Sequence, residues 1–584
     1  MTPVLNVHSS ILGQPWRWRG LAADARDPGF APDDLVTQLL LTRGCPREEL
    51  EAHRAPSIRE FMPDPSIFRD MDRAAKRIAD AVQQGENVTI FGDYDVDGAT
   101  SAALLIRLLR DLGLSPDAYI PDRLMEGYGP SGEALVRLKQ AGADLIVTVD
   151  CGAMAFDAMA EAKAAGAEVI VVDHHKCASQ LPEAVALVNP NRLDEEEGRA
   201  HGHLAAVGVA WLLGAALVRT LRTRGWFAQR PEPRLLDLLD LVALGTVADV
   251  AALRGLNRAF VAQGLKVMGQ RRNIGMNELI EASRLTRAPT ATDLGFALGP
   301  RINAGGRVGK SDLGVRLLTT NDADEARAIA NELDRLNEER RAIEAEVQQA
   351  AEALPADGAV AVVAARGWHP GVIGIVAGRL KEKLGRPAIV IAIGEDGIGK
   401  GSGRSIAGVD LGAAILAARE AGLLIAGGGH AMAAGVTIAE DQIAAFAAFL
   451  DAKLAEGVER AAGERALLLD AVLAPGGVSP DLVTAMDAGG PYGMGWPAPR
   501  VAAGPVRMIK CDVVGNGHVR AIVAGEDGRS IKCVAFRAAD TPLGLALLGA
   551  PRDRRLWIAG RAKIDDWGAR PAAEIHLEDA AWAD

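Results

Sequence analysis

The chain has 584 residues, enough for about three or four domains at roughly 150 residues each. Its net charge is −12, with 49% apolar and 24% charged residues, which excludes a disordered or collagen-like chain and leaves an ordinary globular composition. Five cysteines without a CxxC pair argue against a disulfide framework and against a thiolate zinc site.

Met1–Arg19 lacks the basic-then-apolar order of a signal peptide. No stretch reaches about 18 consecutive apolar residues, the length a membrane helix needs. A reducing, cytoplasmic setting and no membrane partner are therefore expected. Residues 1–55 read as a mixed, mostly helical segment. Over 56–320, strand–turn–helix units repeat. VTIFGDYDVDGATSAALLIRLLRDLG (88–113) is a β-branched run, an acidic turn and an amphipathic helix. DLIVTVDCG (144–152) and AEVIVVDHH (167–175) repeat the arrangement, and LLDLVALGTVADV (238–250) brings a further Asp to the end of an apolar stretch. Continuous apolar strands alternating with helices predict a parallel sheet, whose ligands bind beyond the carboxyl ends of the strands. Four acidic strand ends should then converge.

NDADEARAIANELDRLNEERRAIEAEVQQAAEAL (321–354) predicts one long connecting helix, capped by Asn321 or Asp322 and solvated along its length. Residues 355–460 read as a second α/β module, with GKGSGRS (399–405) and AGGGHAMAAG (426–435) as glycine-rich turns. Residues 461–584 change to shorter β-like runs such as VRAIVAG and IKCVAF, which predict a small barrel. The expected fold is multidomain α/β: two parallel-rich modules joined by a long helix, plus a C-terminal β-barrel.

Asp93, Asp95 and Asp97 sit two apart in DYDVD, so a locally extended chain puts them on one face, flanked by Gly92 and Gly98. Carboxylates this close repel one another unless a cation neutralises them. Asp150, the Asp173-His174-His175 run and Asp249 end the other units. One strand-end Asp is commonly a helix cap; four in one domain are better explained by a shared metal site. Carboxylate and imidazole without thiolate suit Mn²⁺ or Mg²⁺. Two such ions bridged by a carboxylate serve in-line attack on phosphorus, so a phosphate ester or anhydride is the expected substrate class.

GDYDVDG, VTVD, VVDHH and GTVADV, in that order, resemble the DHH phosphoesterase superfamily. Within it, FGDYDVDGATSA, IPDRLMEGYG, VTVDCG, VVDHH, VNPN, GPRINAGGR, RGWHPGVIGIVAGR and GGGHAMAAG resemble the RecJ family of bacterial single-strand-specific 5′→3′ DNA exonucleases. The resemblance runs over roughly residues 50–580. It implies a DHH domain and a DHHA1 domain joined by the long helix, then an OB-fold. It implies two divalent ions, Mn²⁺ or Mg²⁺, on Asp95, Asp97, Asp150, His174 and Asp249, with Asp150 bridging. Asp93 and Asp173 would support the site, and His175 would lie near the scissile phosphate. Four residues before Asp95, where many DHH enzymes carry His, this chain has Phe91.

Arg123, Arg301, Asn303 and Arg307, in glycine-bearing loops, are expected to grip phosphates. Ser402 and Arg404 with backbone N–H groups would cradle the 5′-terminal phosphate, and His430 would touch substrate. The barrel would bind single-stranded DNA through Arg500, Arg507, Lys510, Arg520, Lys532, Arg561 and Lys563, while Trp557 and Trp567 are expected in the core. An acidic total does not oppose this, because only the field along the groove must be positive. The family suggests a single-strand-binding protein and a RecQ-type helicase as partners, a monomeric enzyme, and a role in DNA repair and recombination. Two other readings compete. A phosphodiesterase for short oligoribonucleotides or cyclic dinucleotides would need only the two α/β modules. A catalytically inactive replication scaffold would have eroded acids. The extra barrel and the intact acids favour the exonuclease.

Overall fold

The computed structural model describes residues 3–20, 35–122, 126–127, 129–565 and 571–583. The N-terminal segment is not simply helical. It contributes a short strand, β1 (Trp16–Trp18), before the helices Leu35–Thr42 and Leu50–Arg54.

The first domain is built on five parallel strands, β2 (Val88–Gly92), β3 (Asp117–Tyr119), β4 (Leu145–Val149), β5 (Glu168–Val172) and β6 (Ala186–Val188), in the order β3-β2-β4-β5-β6. Every residue of β2 and β4 is buried, which is why VTIFG and LIVTV are continuous apolar runs. Alternate side chains serve opposite faces. Val88, Ile90, Val147 and Val149 meet the helices Met71–Gln84, Val96–Asp111 and Ala206–Thr223. Phe91 and Ile146 meet the helices Gly132–Gln140 and Phe156–Ala164. The chain leaves β2 for β3 on one side and reaches β4 on the other, so a crevice opens beyond the ends of β2 and β4.

LLDLVALGTVADV is not a strand. It forms the helix Leu239–Ala248, buried without a break from Leu239 to Thr246, with Asp249 as its C-cap. A helix buried on all sides carries no amphipathic period, so its sequence resembles a buried strand. Asp240 in its first turn is buried, and burial pushes its carboxyl up to about 6. In the unfolded chain an Asp titrates near ~4. Between these values the native state holds a proton that the unfolded state has released, so stability falls as pH rises through that window. Above it the penalty is constant, at most about 3 kcal/mol. Asp240→Asn can keep the 2.8 Å bond accepted from Leu241 N–H. It is expected to raise Tm more at about pH 8 than at about pH 5. Thermal unfolding reads this, and equal shifts at both values would contradict it.

The predicted long helix spans Ala323–Glu352, with Asp322 accepting from the N–H groups of Asp324 and Glu325. It is not a solvated connector. Ile329, Leu333, Leu336, Val347 and Ala351 are buried along one side, together with Asn337, Arg340 and Glu344.

The second module has β7 (Ala361–Arg366), β8 (Ala388–Ile393), β9 (Ile398–Arg404), β10 (Ala426–His430) and β11 (Ala433–Ala439), in the order β10-β11-β9-β8-β7. Only β7 and β8 are parallel; the other pairs are antiparallel. GKGSGRS, expected as a turn, is the central strand β9, and AGGGHAMAAG is the β10–β11 hairpin. Glycine takes strand positions here because side chains crowd them. A Cβ on Gly401 would stand 2.4 Å from Val436 Cγ2.

After the helix Ile443–Gly463 come β12 (Leu467–Leu469), β13 (Ala471–Leu473), β14 (Val501–Val514), β15 (His518–Ala524), β16 (Ser530–Ala535), β17 (Arg555–Asp565) and β18 (Ala572–Trp582). The order β14-β15-β16-β18-β17 closes through a β14–β17 pairing into a five-stranded barrel. β1 pairs in parallel with β12, and fully buried Trp16 donates its Nε1–H to Asp579 Oδ2 on β18 at 3.0 Å.

Candidate metal centre

DYDVD bridges the end of β2 and the start of the 96–111 helix. Asp93 is buried just past the strand; Asp95 caps the helix by accepting from Gly98 N–H at 3.0 Å; Asp97 lies in the first turn. The three are thus not one extended run, because the helix begins between them. Gly98 is required: a Cβ there would meet the Asp93 backbone at 2.5 Å. Asp97 accepts from the N–H groups of Ala206 and Val207, at 2.7 and 2.9 Å, at the N-terminus of the 206–223 helix.

Asp150 follows β4 with φ +61°, a left-handed conformation uncommon outside glycine that marks strained functional positions. Asp173 follows β5. Its Oδ1 accepts from the N–H groups of His174 and His175 and from His175 Nδ1, and its Oδ2 from Ala153 N–H. It fixes both histidines. His174 Nδ1 donates to Leu204 O at 3.1 Å, which turns Nε2 toward Asp150 Oδ1 at 3.2 Å, with Asp97 Oδ2 and Asp249 Oδ2 each at 3.9 Å. Asn189 and Asn191 hold the same turn by donating to the carbonyls of His175 and His174.

Three overlapping triads result, Asp93-Asp95-Asp150, Asp97-His174-Asp249 and, joining them, Asp150-His174-His175, each with ligand atoms within 4.8 Å of one another. Burial and the neighbouring acids push Asp97 up to about 7 and Asp249 up to about 9, and Asp150 well above the carboxylate range. Burial, then the charge of His175, holds His174 at about 4. Burial opposes charge on Asp173 and His175, but their mutual bond outweighs it, holding Asp173 at about 2 and His175 at about 9. So much negative charge in one buried place, with an imidazole lone pair aimed into it, fits two hard divalent cations. Asp150, between the triads, is placed to share them. Phe91 takes no part; it lies in the core with Tyr119, ring centres 5.2 Å apart.

GPRINAGGR is a helix, Gly299–Val308, rather than a loop. A Cβ on its Gly306 would stand 2.9 Å from Tyr94 O, so the glycine lets this helix touch the acidic turn. Arg301, expected near phosphate, turns instead to Asp334 on the long helix and to Ala297 O. Asn303 and Arg307 line a cavity of about 660 Å³ with Arg340, Arg341 and Arg379, and Arg537 of the barrel reaches it. The arginines from the long helix and beyond were missed because 321–354 reads as a simple connector. Arg123 lies outside the described residues, as does Trp567.

Ser402 and Arg404 sit side by side on β9, with Arg404 Nη1 donating to Ser402 Oγ at 3.0 Å. The first turn of the helix Ile373–Leu384 faces them: a Cβ on Gly374 would stand 3.0 Å from Ser402 Oγ and 3.1 Å from Arg404 Nη2. Hydroxyl, guanidinium and helix N-terminus, three groups of the kind that bind anions, are thus brought together. His430 ends β10, and burial followed by the charges of Lys176 and His175 lowers it, so the hairpin faces the histidine turn of the first domain.

In the barrel, Arg500 and Arg561 pair with Glu578, Lys510 and Arg520 with Asp512, and Lys532 with Asp565 and Glu574. Trp557 packs against the Trp16 cluster. Among the described residues of the barrel, the exposed aromatic is Phe536, between His518 and His576, which alternation-based reading did not single out.

Comparison with known proteins divides the chain in the same way. The profile of the DHH family, N-terminal domain, matches residues 87–246; the DHHA1 domain matches 357–456; the RecJ OB domain matches 469–579. The single-stranded-DNA-specific exonuclease RecJ of Dickeya dadantii is 39% identical over 520 residues, 84% of this chain and 86% of the relative. The crystal structure of RecJ with Mn²⁺ from Thermus thermophilus superposes with TM-score 0.76 at 30% identity, covering 94% of this chain and 75% of that one. The Mg²⁺ complex of the same protein gives TM-score 0.70 at 30% identity over 94% and 74%.

Proposed function

This chain belongs to the RecJ family of single-stranded-DNA-specific exonucleases, and on that premise we propose that it hydrolyses single-stranded DNA from the 5′ end, releasing mononucleotides. The observation that carries the chemistry is the set of overlapping triads joined through Asp150 and His174. Asp93, Asp95, Asp150, Asp97, His174 and Asp249 would hold two ions, Mn²⁺ or Mg²⁺. Bound there, the ions make water a stronger nucleophile and offset charge on the phosphoryl oxygens.

The chain's own groups supply the rest. His175, held through Nδ1 by Asp173, keeps a proton on Nε2 that can be donated to a phosphate oxygen. Ser402, Arg404 and the N-terminus of the 373–384 helix would hold the terminal 5′ phosphate, and so set polarity by stopping the strand end. Asn303, Arg307 and the arginines of the adjoining cavity give an acidic protein a locally positive path for a polyanion. Family membership alone supports a cytoplasmic, monomeric enzyme of DNA repair and recombination, working with a single-strand-binding protein and a RecQ-type helicase.

The test is digestion of 5′- and 3′-labelled single strands in Mn²⁺ or Mg²⁺, beside duplex DNA and short RNA. Mononucleotides should appear first from the 5′ label, with duplex resistant. Turnover of dinucleotides without cleavage of long strands would reject the polymer reading in favour of a small-substrate phosphodiesterase.

A further inference from the structure

A second group of metal-binding side chains lies away from the carboxylate crevice, in the N-terminal segment. Cys45, Glu49 and His53 are spaced four apart along a short 3₁₀ turn (Arg47–Glu49) running into the helix Leu50–Arg54, which brings them to one side. Sγ, a carboxylate oxygen and a ring nitrogen lie within 4.8 Å of one another. Cys45 is buried, His53 is 15% exposed, and Glu49 reaches solvent at 51%. Packing explains part of this. The thiol adjoins Val36, Leu40, Leu50 and Trp496, and the imidazole lies edge-on to Phe61. His53 Nδ1 is shut off from water, with Glu49 Oε2 3.9 Å away and the Glu49 backbone beside it.

We propose that Cys45, Glu49 and His53 form a second metal site, separate from the carboxylate centre, that takes a divalent cation of the zinc type. The donor set makes the distinction: one thiolate and one imidazole favour a softer ion than the hard ions suited to the carboxylate-rich crevice. Three protein ligands leave a fourth position for water. A spacing search for CxxC pairs does not find such a site, because it uses a single sulfur.

Buried Arg258 donates to the carbonyls of His53, Gly489, Gly490 and Pro491. A dication with a thiolate and a carboxylate forms a neutral set, where the empty site carries the single negative charge of Glu49, so binding adds one positive charge near that guanidinium. Burial, then Arg258, lowers His53 and keeps it neutral; burial, then Glu49, raises the Cys45 thiol. Binding therefore releases the thiol proton to solvent, one per ion. The ion would tie residues 45–53 at the place where the first domain, through Arg258, meets the segment that leads into the barrel.

Cobalt(II) titrated into the full chain tests this, because a sulfur-to-cobalt charge-transfer band in the near ultraviolet requires a thiolate ligand. One equivalent should give the band in the parent and in Asp150→Asn and Cys177→Ser. Cys45→Ser should abolish it while keeping Mn²⁺-dependent nuclease activity. His53→Gln should weaken cobalt binding at least about tenfold, and it carries the test if Cys45→Ser does not fold. No band in the parent, or a band that survives Cys45→Ser, overturns the proposal.

Discussion

Asp150→Asn is expected to lose roughly 10³-fold or more of nuclease activity while its metal-free form melts at a higher temperature than the parent. Both halves follow from one position. Asp150 belongs to the Asp93-Asp95 triad and lies 3.2 Å from His174 Nε2 of the Asp97-Asp249 triad, so its loss weakens both ion sites at once. In the absence of ions it is also a buried acid crowded by Asp95, Asp97, Asp93 and Asp249, which the fold tolerates only at a cost. Asn removes the charge and accepts the left-handed backbone at φ +61°, whereas Ala would add strain there. Mn²⁺ should raise Tm of the parent by mass action and have little effect on the variant. Parent-like turnover of a labelled strand, or a lower Tm in chelator, would refute the account.

Arg404→Ala is expected to cut kcat/KM on a 5′-phosphorylated strand about 100-fold, equivalent to about 3 kcal/mol for a charge-assisted contact. A 5′-hydroxyl strand should lose little, so end-group preference collapses while the chemistry persists. Gly374→Ala approaches the same cradle from the facing helix, since its methyl would stand 3.0 Å from Ser402 Oγ. It should lower the same preference without removing a charge. Kinetics on the two strands separate this from a general defect. An equal loss on both would place Arg404 elsewhere in the reaction.

The first sheet was legible because strands buried on both faces leave an unmistakable apolar run, and the acids that follow β2, β4 and β5 converge as strand-end geometry requires. Asp249 reached the same place for a different reason, as the C-cap of a helix whose uniform burial had erased its period. Glycine misled in the opposite direction. In β9 it marks close packing against neighbouring strands rather than a turn, and a local sequence does not say which neighbour will crowd it. Arg301 and the arginines at 340, 341 and 379 depended on which face of the long helix was covered, a tertiary fact with little local trace. The pairing of Asp173 with His175, by contrast, was implicit in their adjacency.

The parallel pairing of Trp16–Trp18 with Leu467–Leu469 governs the order of events during synthesis. About 450 residues separate the partners, which a ribosome takes roughly 20–90 s to make. Throughout that interval an apolar strand with unpaired backbone is available to chaperones, or to another nascent chain. Trp16 is not fully housed until Asp579 emerges. A premature stop within β18 would therefore do more than shorten the barrel: it would take Asp579 and Ala581 from Trp16 and uncover an indole far from the lesion in sequence, though its strand stayed paired with β12.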